Sequence, residues 1–485
     1  MKIPRCMSTQ HPDNVNPPFF AESSEMGGDD EIEEAFYAYS HLGCDEQMWD
    51  YEGKEVDAYV VKKLLTKYES YFSDNRLGKD LFLTLRLPNP EFEEAEAKVL
   101  VETLESIPRS FDASNLVYND DVAPIFEVIL PMAQSDKSLD RIYNYYHKFV
   151  YGKQNYSAME DDITIGEWVG SYAPNKINVI PLFEDKEHML YSHHIIHAYL
   201  SDKNLESQRV FYARSDPALN YGLLSAVLIN KIAHQKLHEL SEEISIDMYP
   251  IIGVGSAPFR GNLMPNTVEQ VINEYPSIQT FTIQSAFKYD NSPDDIYQAI
   301  KKLTETPRKK PHFMDELKCY DIIEKYSKHF SNEVIKLAPM VNKVSQFVPK
   351  RRKRKLHIGL FGYSRNIGEV YLPRAIGFTA ALYSLGFPPE LIGLNCLNQK
   401  EYDFIMTQYI NFETDLKSAL RYYNPEQKYI DIEVLDRLKD YDIDFEINEE
   451  HKEITNRINM SLKKEDLGDL TRDVLMAANI RKFLG

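Results

Sequence analysis

Short runs of apolar, β-branched and aromatic residues recur along the chain, each followed by a polar cluster. They fall at 80–87 (DLFLTLRL), 124–131 (PIFEVILP), 177–183 (INVIPLF), 208–214 (QRVFYAR), 248–254 (MYPIIGV), 278–284 (IQTFTIQ) and 356–363 (LHIGLFGY). With the start of the chain, before His11, they make eight predicted strands. Helix-like stretches lie between them, at 53–72, 91–106, 136–150, 219–240 and 293–304. Strand-then-helix alternation predicts an α/β protein with a parallel sheet, and eight units predict a closed TIM-type (β/α)8 barrel. Two stretches exceed a bare barrel. Residues 291–355 open on Ser292, Pro293, Asp294 and Asp295, which read as an N-cap, a proline in the first turn and acids behind it. They continue as a helical insertion with breaks at Pro307 and Pro311. Residues 374–485 read as a helical C-terminal region with a breaker at Gly386–Pro389. The whole of 1–485 is thus expected to form one catalytic barrel domain with two helical additions.

Composition narrows the classes of partner. Of 485 residues, 43% are hydrophobic and 12% aromatic, enough for a large core and too many for a disordered chain. Lys and Arg number 55 against 75 Asp and Glu, a formal net charge of −20. Such a chain repels nucleic acid and anionic membrane unless it gathers its cations in one place. The four cysteines, Cys6, Cys44, Cys319 and Cys396, form no CxxC pair. That argues against a zinc ribbon, a thioredoxin-type motif and a disulfide scaffold, and for a reducing compartment. The opening MKIPRCMSTQHPDN has no apolar stretch of a signal peptide, and no run of 18 apolar residues occurs. The expected location is the cytoplasm.

Barrel chemistry lies at the C-terminal ends of the strands, and the polar residues there are one-sided. They are His11 and Asp13, Arg86, Glu184, Arg214 and Asp216, Arg260, Gln284 and Lys288, and Arg365. Carboxylates, a histidine and several cations from separate loops suit a divalent ion together with a polyanionic substrate. Glu184 and Asp216 are the metal candidates, because Mg²⁺ is commonly held by one or two carboxylates and completes its shell with water and substrate oxygens. The alternative is that these acids cap helices, since Asp216 precedes Pro217. The turn from Gly253 to Gly261 either offers backbone N–H groups to a phosphate beside Arg260 or merely closes the barrel. The basic run 350–355 reads as a solvated loop, or as a partner for an acidic neighbouring subunit. His193, His194 and His197 read as a surface helix rather than half a zinc site.

The octapeptide Met7-Ser8-Thr9-Gln10-His11-Pro12-Asp13-Asn14 resembles the opening signature of archaeal-type phosphoenolpyruvate carboxylase. Its His-Pro pair is similar to the Thr-Ala-His-Pro signature of the longer bacterial and plant enzymes. Pro181-Leu182-Phe183-Glu184 and Ala213-Arg214-Ser215-Asp216 resemble the family's two metal-binding segments. Arg260-Gly261 resembles part of the glycine-rich catalytic loop. Gly362-Tyr363-Ser364-Arg365 is similar to a phosphate-binding Gly-Ser-Arg, and Leu372-Pro373-Arg374-Ala375-Ile376 to the Leu-Arg-Ala-Ile-Pro that follows it. The resemblance covers most of residues 1–397. It departs at Ile252-Gly253-Val254, where the long enzymes carry His-Gly-Arg. Arg214 stands where they carry Tyr and is read as replacing some of the lost positive charge. Their extended regulatory portion has no obvious counterpart.

The resemblance implies a barrel, a Mg²⁺ or Mn²⁺ ion, a homotetramer, and irreversible carboxylation of phosphoenolpyruvate with bicarbonate to oxaloacetate and phosphate, an anaplerotic supply of four-carbon acids to the tricarboxylic acid cycle. It further implies that Glu184 and Asp216 hold the metal. Arg260 and Arg365, with Arg214 as an added cation, would meet the transferring phosphoryl group through flat bidentate donors. His11 would take a proton from carboxyphosphate. Arg86, Lys288 and Arg374 are left to the substrate carboxylate or to structural ion pairs. The competing readings are another metal-dependent enolpyruvate-type barrel lyase or mutase, and a non-catalytic protein using the run 350–355 to hold RNA or an acidic partner.

Overall fold

The computed structural model describes residues 2–53, 56–93, 97–353, 365–367, 370–429, 434 and 443–485. Eight parallel strands close into a barrel in sequence order. They are β1 (Cys6–Ser8), β2 (Glu46–Asp50), β3 (Phe82–Arg86), β4 (Glu127–Leu130), β5 (Asn178–Phe183), β6 (Ser207–Ala213), β7 (Asp247–Gly253) and β8 (Thr280–Ile283). The ring closes where Cys6, Met7 and Ser8 pair with Phe281, Thr282 and Ile283. The chain is therefore a (β/α)8 barrel.

One strand differs from the sequence reading. The run 356–363 lies outside the described residues, and the barrel closes without it. The place in the ring belongs to β2, whose sequence Glu-Gln-Met-Trp-Asp carries no apolar run although all five residues are buried. The reason lies inside the barrel, where side chains of alternate residues point inward. On β2 these are Glu46, Met48 and Asp50, one for each of three layers. At the base, Arg209 of β6 donates to Glu46 (Nη1–Oε1 2.8 Å, Nη2–Oε2 2.6 Å), to Glu127 of β4 (2.8 Å) and to Thr280 of β8 (3.2 Å). Thr84 of β3 adds a hydroxyl to Glu46. Above them Met7, Met48, Ile129, Ile180, Leu182, Phe211, Ala213 and Ile251 form an apolar plug. The third layer opens at the C-terminal ends of the strands. A strand that serves a buried ion pair at one end and a polar cavity at the other cannot read as hydrophobic.

Helices pack outside the strands, their apolar faces merging with the outer strand faces in one large core. Past β8 come the helix Pro293–Glu305, capped by the Ser292 hydroxyl on the Asp295 N–H, and the 30-residue helix Glu316–Ser345. Pro307 and Pro311 fall in the irregular segment between them, as the sequence predicts. A short hairpin of β9 (Arg365–Ile367) and β10 (Val370–Leu372) leads to the helices Ala375–Ser384, Gln399–Gln408, Phe412–Leu420, Glu449–Lys464 and Leu470–Arg481. A cis peptide bond lies at Ala173–Pro174.

The basic run is only partly a solvated loop: Lys350 and Lys353 are exposed, but the two arginines between them are not. Arg351 and Arg352 are buried. Arg352 pairs with Glu31 (3.2 Å) and Glu34 (2.5 Å), and Arg351 donates to the carbonyls of Asn14 and Val15. One cation of the run is thus taken up by the chain's own buried carboxylates and its neighbour by backbone carbonyls. Arg354 and Lys355 lie outside the described residues.

The base layer makes a stability prediction. Arg209→Met should cost about 3–5 kcal/mol, because it leaves the buried carboxylates of Glu46 and Glu127 without their cation. Urea unfolding checks it, and a loss below about 1 kcal/mol would mean that the pair is not holding the barrel floor.

Candidate active site

A cavity opens above the plug at the C-terminal ends of the strands, lined by residues from seven strand ends or the loops after them and by the Arg374–Ile376 segment. The sequence-predicted residues His11, Arg86, Glu184, Asp216, Arg260 and Arg374 all line it, as does Arg214. Leu182, Phe211, Ala213 and Ile376 give it an apolar side.

The loop after β7 is organised by two glycines. Gly261 has φ 124°, and a Cβ there would fall 2.6 Å from Val254. A Cβ on Gly255 would meet the Arg260 guanidinium carbon and Gln284 Oε1, each at 2.9 Å. The loop does not present its amides to a phosphate. The N–H of Gly255 donates to the Arg260 carbonyl, Arg260 and Asn262 to Ala257, and Gly261 to Pro258. Phe259 N–H donates to Glu390 and Ser256 N–H to Asp13. A turn that folds back on itself uses up its donors, so positive charge at this end of the site comes from side chains.

Arg260 is 2% exposed. Its Nε donates to Ser215 Oγ (3.1 Å), Nη1 to Asp13 Oδ2 (3.2 Å) and the Gly485 carbonyl (2.6 Å), and Nη2 to Gln284 Oε1 (2.6 Å). Four of its five N–H groups thus serve the protein. The expected two-point grip on a phosphoryl group is reduced to one N–H on Nη2, and most of the guanidinium is structural.

Arg86 leaves the end of β3 and makes a two-point contact with Asp50 (Nε–Oδ1 2.8 Å, Nη2–Oδ2 2.7 Å), with Glu52 3.0 Å from Nη2. Its Nη1 makes no hydrogen bond among the described residues, so two donors remain for a ligand. Asp50 and Glu52 are the functional residues that sequence reasoning missed, because both belong to the unread strand β2 and the turn after it. Arg374, at the start of the helix Ala375–Ser384, shares this field: burial lowers its pKa, Glu52, Asp50 and Glu184 oppose the shift, and Arg86 adds to it.

His11 sits among these cations, with Nδ1 2.9 Å from the Thr9 hydroxyl. Burial, and next the Arg86 guanidinium, hold its imidazole well below the usual value; Asp50 opposes, and Arg260 and Arg374 add to the depression. The surroundings therefore favour the neutral ring. When Nδ1 donates to Thr9, Nε2 carries the lone pair. The turn that holds His11 is fixed by Asp13, whose fully buried carboxylate accepts from Ala286 N–H (2.7 Å) and Arg260.

Glu184 follows β5 and Asp216 follows β6, neighbouring strands. Neither is a helix cap. Asp185 caps the helix Lys186–Leu200 through the His188 N–H, and Arg214 occupies the cap position before Ser215–Tyr221. Three expectations are corrected or left open. Lys288 does not line the cavity: its fully buried Nζ donates to Glu34 (2.7 Å), Ser8 Oγ and the Thr9 carbonyl, a structural pair behind β1. Arg214 reaches the wall, but its Nη1 donates to the Phe259 carbonyl (3.3 Å) and Tyr275 lies against it, so its charge braces the loop. Arg365 is described only as backbone in β9, and its side chain lies outside the described residues.

Arginines, paired carboxylates and a neutral histidine over the open end of a closed eight-stranded barrel define a (β/α)8-barrel enzyme for a small anionic substrate. The family described as phosphoenolpyruvate carboxylase matches residues 3–485. Among curated relatives, the phosphoenolpyruvate carboxylases of Methanothermobacter thermautotrophicus and Methanospirillum hungatei are 54% and 53% identical, each alignment covering 100% of both chains. That of Pyrococcus furiosus is 48% identical with the same coverage. The chain belongs to the phosphoenolpyruvate carboxylase family.

Gly255→Ala should cut turnover on the order of 10²-fold and lower stability by about 1–3 kcal/mol, because its Cβ displaces the guanidinium of Arg260 and the Gln284 carbonyl. Steady-state kinetics with a thermal melt check this. A kcat within threefold of the parent would show that Arg260 tolerates displacement.

Proposed function

We propose that this cavity carboxylates phosphoenolpyruvate with bicarbonate, yielding oxaloacetate and phosphate. The observation that carries the reading is the placement of a neutral His11 within one field of Arg86, Arg260 and Arg374. Phosphoenolpyruvate and bicarbonate bring several negative charges together, and guanidinium groups offset them while leaving the imidazole able to accept a proton.

A divalent ion, Mg²⁺ or Mn²⁺, fits the donors present. Glu184 and Asp216 line one cavity from adjacent strand ends and are not committed to helix caps. Among the described residues no group of three or more His, Cys, Asp or Glu is placed for a metal. A two-carboxylate site of this kind suits an ion that takes the rest of its shell from water and substrate. Bound there, it would supply charge neutralisation for phosphoryl and enolate oxygens.

The chain's own residues account for the rest. Arg86 through Nη1, and Arg260 through its remaining N–H, orient the anionic substrate. Bicarbonate oxygen attacks phosphorus, the P–O bond to the enol carbon breaks, and carboxyphosphate and the enolate of pyruvate form. His11 Nε2 takes the proton of the carboxyphosphate carboxyl group. The C–O bond to phosphate then breaks, giving CO₂ and phosphate, and the enolate carbon attacks CO₂. Leu182, Phe211, Ala213 and Ile376 keep water from that carbon, which would otherwise be protonated to pyruvate. Phosphoryl transfer of this kind rests on positioning and charge rather than on protein nucleophiles.

A cytoplasmic, anaplerotic homotetramer completes the reading. No helix among the described residues is long and apolar enough to cross a membrane, and all four cysteines are unpaired. Self-association is supported by one stretch that exposes Phe149, Tyr156, Met159, Ile163, Trp168 and Val169.

Phosphate release from phosphoenolpyruvate should require bicarbonate as well as a divalent ion. Glu184→Ala and Asp216→Ala should each raise the metal concentration needed and remove most turnover while the melt stays near that of the parent. A coupled oxaloacetate assay over a metal titration tests both. Equal phosphate release without bicarbonate would point to another enolpyruvate enzyme, and near-normal activity of either variant at low metal would remove that carboxylate from the ion.

A further inference from the structure

Directly behind the cavity lies a fully buried carboxyl group that the reaction does not use. Glu390 sits in the short turn Pro389–Leu391, after the helix Ala375–Ser384, and is 0% exposed. Its Oε1 accepts the Phe259 N–H (2.5 Å) and the Tyr383 hydroxyl (2.8 Å). Its Oε2 has no hydrogen-bond partner among the described residues. Burying a carboxyl group on these terms is costly, and an apolar residue would fill the space at less expense.

The return on that cost lies in what Glu390 holds. Phe259 immediately precedes Arg260, and the turn Pro258–Arg260 leaves the Phe259 N–H without a backbone acceptor. Glu390 takes that N–H, while Arg214 Nη1 grips the carbonyl of the same residue from the other side (3.3 Å). Three residues on, Asn262, in a left-handed conformation with φ 56°, is held through its Nδ2 by Asp415 (2.7 Å). The segment carrying Arg260 is thus clamped from outside the barrel before its guanidinium reaches Asp13, Ser215, Gln284 and Gly485. Burial pushes the Glu390 carboxyl up to about 7. That fits a group valued for its oxygen acceptor rather than for its charge.

We propose that Glu390 is a positioning residue for the carboxylation, setting the Phe259–Arg260 backbone and through it the direction of the Arg260 guanidinium. This rests on the reading of Arg260 given above, in which its remaining Nη2 hydrogen meets the substrate. The acceptor at Oε1, and not the negative charge, is what the site requires.

The test compares Glu390→Met, which keeps length but loses the acceptor, with Glu390→Gln, which keeps both length and acceptor but loses the charge. Each is also made in the Arg260→Lys background, and oxaloacetate formation is followed with bicarbonate present. Glu390→Met should lower kcat on the order of 10²-fold, as misplacement of a catalytic group does. Glu390→Gln should restore it to within about fivefold of the parent. In the Arg260→Lys background, Glu390→Met should cost less than about threefold more, because residues that act through one another are not additive. An equal cost in both backgrounds, or Gln as damaging as Met, would overturn the proposal. Should Glu390→Met fail to fold, Glu390→Asp, whose shorter side chain withdraws the acceptor, takes its place with the same expected values. Lack of bicarbonate-dependent activity in the parent protein would instead overturn the underlying reading, so the two failures are distinguishable.

Discussion

A single buried guanidinium ties the working end of this barrel together. Arg260 receives an acceptor from the loop after β1 (Asp13), from the one after β6 (Ser215), from the end of β8 (Gln284) and from Gly485. No two of these neighbour one another in the chain. A guanidinium can meet all four because its donors are fixed in one plane and its charge does not titrate in the working range. An ammonium could not reach them from one point. The geometry of the loop follows from this demand: Gly255 has no side chain because the guanidinium lies where its Cβ would be, and Gly261 has none because Val254 does.

The same principle recurs through the molecule. Arg209 closes the barrel floor, Arg86 joins β3 to the end of β2, and Lys288 with Arg352 surrounds Glu34 behind β1. Each is a buried cation satisfied by carboxylates from other segments, the arrangement in which a buried charge is tolerable. A net charge of −20 therefore coexists with a cavity lined by four arginines, Arg86, Arg214, Arg260 and Arg374, beside Glu52, Glu184 and Asp216. Buried acids and buried cations are drawn inward together, and their pairing specifies which strands and loops meet. Where such a pair faces the cavity, as Arg86 with Asp50 and Glu52, it also leaves donors over for a ligand.

Much of this was legible in the residues. Strands β3 to β8 announced themselves through apolar or β-branched runs, and most of the predicted site residues converge because strand ends are where barrel loops meet. The His-Pro-Asp turn, the acids Glu184 and Asp216 and the Arg-Gly pair were conspicuous for their chemistry and their order. What was hidden shares one cause: long-range pairing has no local signature. Strand β2 reads as polar because Glu46 and Asp50 serve Arg209 and Arg86, far away in sequence. Lys288 reads as a substrate cation or a structural ion pair, and Arg352 as part of a solvated loop, because nothing near them in the chain shows Glu34. The glycine turn left a phosphate cradle and a mere barrel-closing turn equally open, and its amides bond to its own carbonyls and to Glu390 and Asp13. Arg214 looked like a replacement for lost charge; it does line the cavity, but part of its guanidinium is taken up by the Phe259 carbonyl and Tyr275, which only the folded chain brings to it.

The central claim is that the neutral His11 imidazole, kept neutral by burial and the surrounding guanidinium groups, takes the carboxyphosphate proton. On the proposed roles, His11→Asn would separate that step from phosphoryl transfer, which is assigned to the other side chains. The direct measurement is the ratio of pyruvate to oxaloacetate formed from phosphoenolpyruvate in bicarbonate by this variant. The account predicts continued phosphate release that still needs bicarbonate, with pyruvate replacing most of the oxaloacetate as the stranded enolate is protonated. A slower enzyme with an unchanged product ratio would contradict it and leave His11 a structural member of its turn.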